Sequence, residues 1–365
     1  MKPILPAALV AAPLFAAHVF GQFIPGNLAV LRVGDGSTLL TSAASAVSID
    51  QFSMSGTGQS PTYSVALPST GSSAITLSGT ASSEGALALS ANGMYLTFGG
   101  FNAVSGTANV AGSSSATVNR AVGMLDAAGI YSLPVKSGTA FSGSDVRGAV
   151  TTDGTQFWMS GNGNSTTGGI WAESNGTEAQ IYSGISNLRV LNIIDGNLAF
   201  STGAGTTTRG AHVFSGLPTT TATPSQLFNA GSTASPYDFA LNPAGNVAYL
   251  ADDRSSGGIQ RWEMVGGTWS LNYTLGTGGT LGARGLAVDW TGADPVLFAI
   301  TAESSANRLI RIEDTGAGSS ATTLATASVN TLFRGVDFSP IPEPQTYALF
   351  ALGGAGLLFR LRRRA

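Results

Sequence analysis

The 365-residue sequence predicts an all-β fold arranged as a closed ring of repeated units. Three observations carry this. Apolar residues, 43% of the chain, arrive in short bursts that alternate with polar ones, which is the period of a half-buried strand. The bursts recur as pairs joined by turns that close on glycine. The last unit stops after a single strand, while unpartnered strand-like stretches stand near the N-terminus.

The pairs, in order, are these. Ala86–Gly93 leads into Met94–Gly100, and Gly148–Gly154 into Thr155–Ser160. Leu188–Gly196 leads into Asn197–Phe200, Asp238–Gly245 into Asn246–Leu250, and Gly285–Gly292, after an insertion, into Val296–Ile300. Asn-Gly and Asp-Gly supply the positive φ that tight hairpins need. A second pair of alternating stretches follows each hairpin, as Ile259–Met264 with Trp269–Tyr273 and Arg308–Ile312 with Thr322–Leu324 show. Ser/Thr/Gly-rich pieces such as Gly112–Thr117 and Thr219–Thr223 read as loops. The repeat of about 41 to 60 residues lies in the range of propeller blades.

Arg334–Pro340 supplies one strand of a final unit. Leu28–Gly34, Ala46–Phe52 and Thr62–Leu67 would supply the other three. Joining the two ends in one sheet closes the ring and removes its open edges. The expectation is a six-bladed β-propeller closed by N- and C-terminal strands. Seven blades is the alternative if Ser72–Ser82 or Ser137–Ser144 holds further strands; a two-sheet sandwich or a β-solenoid is the competing architecture. The pattern resembles six- and seven-bladed propellers in general, and the secreted quinoprotein-like and lactonase-like sets, without a family-specific catalytic motif.

The two ends read as targeting segments. Met1-Lys2-Pro3 followed by an apolar run from Ile4 to Phe20 has the layout of a signal peptide over residues 1–21, with cleavage ahead of Gln22 and Ala17 as an alternative end. Pro3, Pro6 and Pro13 argue against a stable spanning helix. The working domain then covers 22–340. Residues 341–365 hold Pro342-Glu343-Pro344, an apolar stretch from Thr346 to Phe359, and Arg360, Arg362, Arg363 and Arg364. As a helix those fourteen residues reach about 21 Å against a hydrocarbon core of about 30 Å, so the segment suits transient insertion in the inner membrane. The arginines would hold its end in the cytoplasm.

Pro-Glu-Pro, apolar stretch and arginine cluster, in that order at the end of the chain, resemble the PEP-CTERM sorting tail of Gram-negative bacteria. The resemblance implies a C-terminal hydrophobic sorting helix, export machinery and an exosortase-like processing enzyme as partners, in cells that make extracellular polysaccharide. It covers about two dozen residues and is silent on the domain they carry.

Composition narrows the function. Apart from Lys2 and the four tail arginines, 12 cations face the 20 anions of the chain, a net of about −8, and Lys136 is the one remaining lysine. So few cations make nucleic acid a poor partner, because phosphate contacts need clustered charge. There is no cysteine, Gly-x-Ser-x-Gly elbow or Gly-x-Gly-x-x-Gly fingerprint, and the Lys136-Ser137 pair lacks the preceding glycine of a phosphate loop. His212 is the only histidine beyond the signal segment and reads as structural. Asp252-Asp253 would offer hard oxygen ligands, but the spacing fits no EF-hand and solvated turn residues are the simpler reading. No catalytic residue, cofactor or metal is expected. Trp158, Trp171, Trp262, Trp269 and Trp290 sit at strand positions, where core packing is the default.

One constellation depends on the ring. Arg147, Arg189, Arg284 and Arg334 stand at the start of first strands, with Glu84 and Asp238 nearby in the other two units. First strands line a propeller's channel, so these six would surround one mouth. A guanidinium fork suits carboxylates, which makes the ring a candidate site for an anion or sugar acid; ion pairs and hydrogen bonds to blade loops are the structural alternative. The resulting expectation is an exported cell-surface or extracellular-matrix protein with a non-enzymatic structural, adhesive or polysaccharide-binding propeller. The alternative is a secreted hydrolase or lactonase-like enzyme with its site at the channel mouth.

Overall fold

The computed structural model describes residues 22–342. The signal segment, and the tail from Glu343 through the apolar stretch to Arg360, Arg362, Arg363 and Arg364, lie outside the described residues.

Among the described residues are six four-stranded antiparallel sheets. The first blade is Leu87–Leu89, Tyr95–Phe101, Arg120–Asp126 and Tyr131–Ser137. The second is Val146–Thr151, Gln156–Gly161, Gly169–Ser174 and Thr177–Tyr182, and the third Leu188–Ile194, Asn197–Thr202, Gly210–Val213 and Ser225–Asn229. The fourth is Pro236–Leu241, Val247–Asp252, Gly258–Val265 and Thr268–Leu275; the fifth is Ala283–Asp289, Val296–Thr301, Arg308–Glu313 and Thr322–Thr326. The sixth joins Leu332–Phe338 to Leu28–Val33, Val47–Phe52 and Tyr63–Ala66, with Leu28 opposite Phe338 and Val30 opposite Val336. The inner strands contact one another in sequence and close from the sixth blade onto the first. The protein is a six-bladed propeller.

A seventh blade is not formed. Within Ser72–Ser82 only Leu77–Ser78 is a strand, and it pairs with Ala44–Ser45 as a short separate ribbon. Beyond Ser137 no strand begins until Val146.

Hairpin chemistry explains the local geometry. Asp195 and Gly196 both adopt positive φ, 48° and 71°, in the two-residue turn of the third blade. Strand direction alternates within a blade, which separates two faces. The turns joining first to second and third to fourth strands lie on what we call the hairpin face. The second-to-third turns and the blade-to-blade connections lie on the opposite, crossover face.

The core is divided into wedges between neighbouring blades. Leu31, Val47 and Ile49 of the sixth blade pack with Leu96, Phe98 and Leu125 of the first. Tyr249 and Ile259 of the fourth pack with Leu297 and Ile310 of the fifth. Since each blade hides its apolar faces only against its neighbours, closing the ring is what completes the first and last wedges.

Candidate functional site

In five of the six inner strands the pairing register slips near the strand start. The slips fall between Val146 and Gly148, Leu188 and Leu191, Pro236 and Phe239, and Ala283 and Gly285. In the sixth blade Val336 and Phe333 flank the slip opposite Val30 and Arg32. A bulge of this kind turns a side chain away from the regular pleat. The residues it carries are Arg147, Arg189, Tyr237, Arg284 and Arg334. Arg147, Arg284 and Arg334 are each followed by a glycine that lets backbones approach: a Cβ at Gly335 would run into the Leu87 amide nitrogen and the Gly85 carbonyl of the first blade.

All four expected arginines therefore stand at the crossover-face mouth of the channel. Their charges oppose one another, Arg189 against Arg147 and Arg284, and Arg334 against Arg284. Arg147 donates to Asn187 Oδ1 at 2.5 Å and pairs with Asp145 at 3.2 Å. Arg284 pairs with Asp253 at 2.9 Å. Arg189 donates to Ser235 Oγ and the Pro236 carbonyl, both at 3.1 Å, with its guanidinium 3.8 Å from the Tyr237 ring centroid. Arg334 donates to the Gly79 carbonyl at 3.0 Å. Among the described residues, neither Arg189 nor Arg334 has an ion-pair partner, and the Nε atoms of Arg147, Arg189 and Arg334 are buried without a hydrogen bond.

Burial sets the electrostatics. It pushes the Arg334 guanidinium down to about 10, although Glu84 favours its charge. Burial, followed by the repulsion of Asp145, holds Glu84 well above the usual carboxylate range. Glu84 accepts from the Ser78 amide nitrogen at 2.8 Å, and its Oε1 lacks a partner. Asp238 departs from the expected ring. Within the slip of the fourth blade Tyr237 lies against Arg189 and Arg284, while the Asp238 carboxyl reaches the fifth blade. There it accepts from the amide nitrogens of Phe239 (2.9 Å) and Leu286 (3.1 Å) and from Asn192 Nδ2 (3.3 Å).

A cavity of about 560 Å³ opens beside Arg284 and Arg334, lined also by Leu39, Leu40, Glu303 and Val329. Glu303 was not singled out from the sequence. It lies in the second-to-third-strand turn of the fifth blade, where its Oε1 accepts from Arg308 at 2.8 Å. At the hairpin-face mouth a larger cavity, about 820 Å³, runs outward between the third and fourth blades and is lined by Asn192, Phe239, Trp290, Asp337 and Phe338.

The other candidates are structural. His212 is buried, stacks on Phe200 at 5.0 Å and contacts the Thr208 carbonyl oxygen through Nε2 at 2.6 Å. Asp252 is fully buried rather than a solvated turn residue: it accepts from the Ser235 amide nitrogen and from Gln260 Nε2, both at 3.0 Å. Trp158, Trp171 and Trp262 are buried, with indole nitrogens donating to the Pro218 carbonyl, the Gly168 carbonyl and Gln260 Oε1. Among the described residues no three His, Cys, Asp or Glu side chains gather as a metal-binding group.

The chain leaves the propeller on the hairpin face. The Ser339 amide nitrogen donates to the Asn27 carbonyl and that of Ile341 to the Gly93 carbonyl, both at 2.8 Å. The Phe23 amide nitrogen donates to the Ala127 carbonyl at 3.0 Å, beside the turn between the third and fourth strands of the first blade. Both ends of the domain thus lie on the face opposite the arginines. Pro342 is the last described residue of the sorting segment. No helix among the described residues is long and apolar enough to cross a membrane.

Comparisons with known proteins agree with the two-part reading. Residues 340–364 match the family model of the PEP-CTERM protein-sorting motif, a tail that indicates an exported protein sorted to the cell envelope and implies processing by exosortase-like machinery. A search of curated proteins found no match. Among solved structures, a chain of the nidogen/laminin complex superposes with a TM-score of 0.54 at 11% identity, over 85% of this chain and 98% of that one. TolB from Acinetobacter baumannii gives 0.51 at 11% identity, over 87% and 67%. At such identities the likeness shows the propeller fold alone.

Proposed function

We propose that this chain is a cell-surface or extracellular-matrix protein whose propeller works without catalysis, as a structural or adhesive module that meets polysaccharide at its arginine-bearing mouth. One observation carries the reading. The sorting segment departs from the hairpin face, while the four arginines gather on the crossover face. A domain held through its tail, before or after processing, directs that mouth away from the point of attachment. Arg189 and Arg334, lacking carboxylate partners, leave the mouth with an excess of positive charge in a chain that is acidic overall. Acidic polysaccharide is the extracellular polymer that such a charge favours.

The hydrolase or lactonase-like alternative would need acid/base groups facing a cavity. Asp238 and Asp337 are the nearest to that description, because burial raises them to about 7 and about 6. Each, however, is engaged by two backbone amide nitrogens, one of them on the next blade. Their surroundings favour latching over proton transfer.

Two measurements test the proposal. The intact mass of protein from fractionated native cells should show a product beginning near Gln22 and ending near Pro344, outside the inner membrane. The protein should also be retained on the acidic polysaccharide of its own cells, with retention falling as salt rises. Full-length protein confined to the inner membrane, or no retention at low salt, would overturn it.

A further inference from the structure

We propose that the cavity between Arg334 and Glu303 is a binding site for a single carboxylated sugar unit, such as the uronate end of a polysaccharide chain. The inference rests on the polysaccharide reading above and assigns it a place and a ligand class.

The cavity is lined by charged side chains of opposite kind. Arg334, only 6% exposed, has one hydrogen bond, to the Gly79 carbonyl, and its Nε has no partner. Glu303 lies on the lining of the same cavity, its side chain 26% exposed and its Oε1 accepting from Arg308 at 2.8 Å. Burial opposes the Glu303 charge, but the Thr301 hydroxyl and the Arg308 guanidinium outweigh it and keep the carboxyl below its ordinary range. Glu303 is therefore an acceptor, and Arg334 and Arg284 are donors, on the lining of one space. A ligand that presents an acceptor to the guanidinium groups and donors to the carboxylate gains a charge-assisted hydrogen bond from each kind.

A simple anion would satisfy the arginines and be repelled by Glu303. A neutral sugar would donate hydroxyls to Glu303 and leave the arginines unmet. A sugar acid offers a carboxylate to Arg284 and Arg334 and hydroxyl donors to Glu303. The volume of about 560 Å³ suits a small ligand with room for the next unit of a chain. Leu39 and Val329, 73% and 81% exposed, form an apolar rim over which the C–H face of that next unit would lie.

Binding of D-glucuronate, acetate and D-glucose to the full-length protein in detergent, measured by calorimetry, tests this directly. Glucuronate should bind at least about ten-fold more tightly than either of the others, the worth of one charge-assisted hydrogen bond. Arg284→Gln, at a position 20% exposed where folding is checked by thermal melting, should weaken glucuronate about ten-fold. Glu303→Gln should weaken glucuronate and leave acetate unchanged or tighter, a split that a purely structural role would not produce. Glucuronate binding no better than acetate, or unaffected by both substitutions, overturns the site. Retention on polymer by the parent and by Arg284→Gln alike, without glucuronate binding, removes the site and leaves the matrix reading. Glucuronate binding without polymer retention does the reverse.

Discussion

Asp337, in the last strand of the ring, accepts a hydrogen bond from the Leu89 amide nitrogen of the first blade at 2.6 Å. Asp238 makes the equivalent link from the fourth blade to Leu286 of the fifth, at 3.1 Å. Each carboxylate spends its charge on backbone amides that the regular ladder leaves unpaired, so the ring is tied between blades by side chains as well as by apolar packing.

These latches make stability depend on pH. Burial raises Asp238 to about 7 and Asp337 to about 6 from an ordinary value of 3.8, and the two repel each other. A carboxyl raised in the folded state binds its proton more readily folded than unfolded. Its stabilising effect is complete below 3.8 and is lost as pH rises through 6 to 7. The melting temperature should fall between pH 5 and pH 8, and Asp238→Asn should flatten that fall even while lowering stability. Equal slopes for parent and variant would refute the assignment.

Closure of the ring should be sensitive to one methyl group. Gly335→Ala places a Cβ against the Leu87 amide nitrogen and the Gly85 carbonyl, both backbone atoms that cannot swing aside. A loss of about 1–3 kcal/mol in chemical denaturation is expected. Gly276→Ala, with open space around the new Cβ and, like Gly335, a φ outside the left-handed region, is the control for adding a methyl group.

Between the fourth and fifth blades, fully buried Asp314 accepts from Tyr249, from Tyr273 at 2.8 Å and from Arg261 at 3.0 Å. Tyr273→Phe should cost about 1 kcal/mol, a single hydrogen bond whose acceptor keeps other donors. Arg261→Ala leaves a buried carboxylate without its cation and should cost about 3–5 kcal/mol. Urea melts of the two variants compare them, and similar losses would show that the tyrosines alone satisfy Asp314.

Arg120 organises the long insertion between the second and third strands of the first blade. It is fully buried and donates to the carbonyls of Ala111, Ser113, Val118 and Ser144 at 2.7–3.3 Å. Arg120→Met should open residues 102–119 to limited proteolysis while the other blades stay resistant. Unchanged cleavage would mean that the insertion holds itself.

Blade number, strand pairing and ring closure were readable because each rests on signals a few residues long. The turn Asp195-Gly196 and the alternation around it specify a hairpin without outside help. The unpaired strands at Leu28–Gly34 and Arg334–Pro340 imply each other. The strand position shared by Arg147, Arg189, Arg284 and Arg334 was readable for the same reason, whereas a ligand for them was not.

The sequence by itself thus determined the repeat, its closure and the sorting segment, all local patterns multiplied by topology. Tertiary structure decided which residues meet. It put Tyr237, rather than Asp238, between Arg189 and Arg284, buried Asp252, and brought Glu303 from a turn of the fifth blade onto the same cavity as Arg334 of the sixth. Those placements depend on how neighbouring blades approach and on where a bulge turns a side chain. Both are set by packing between segments far apart in the chain, where no local period records them.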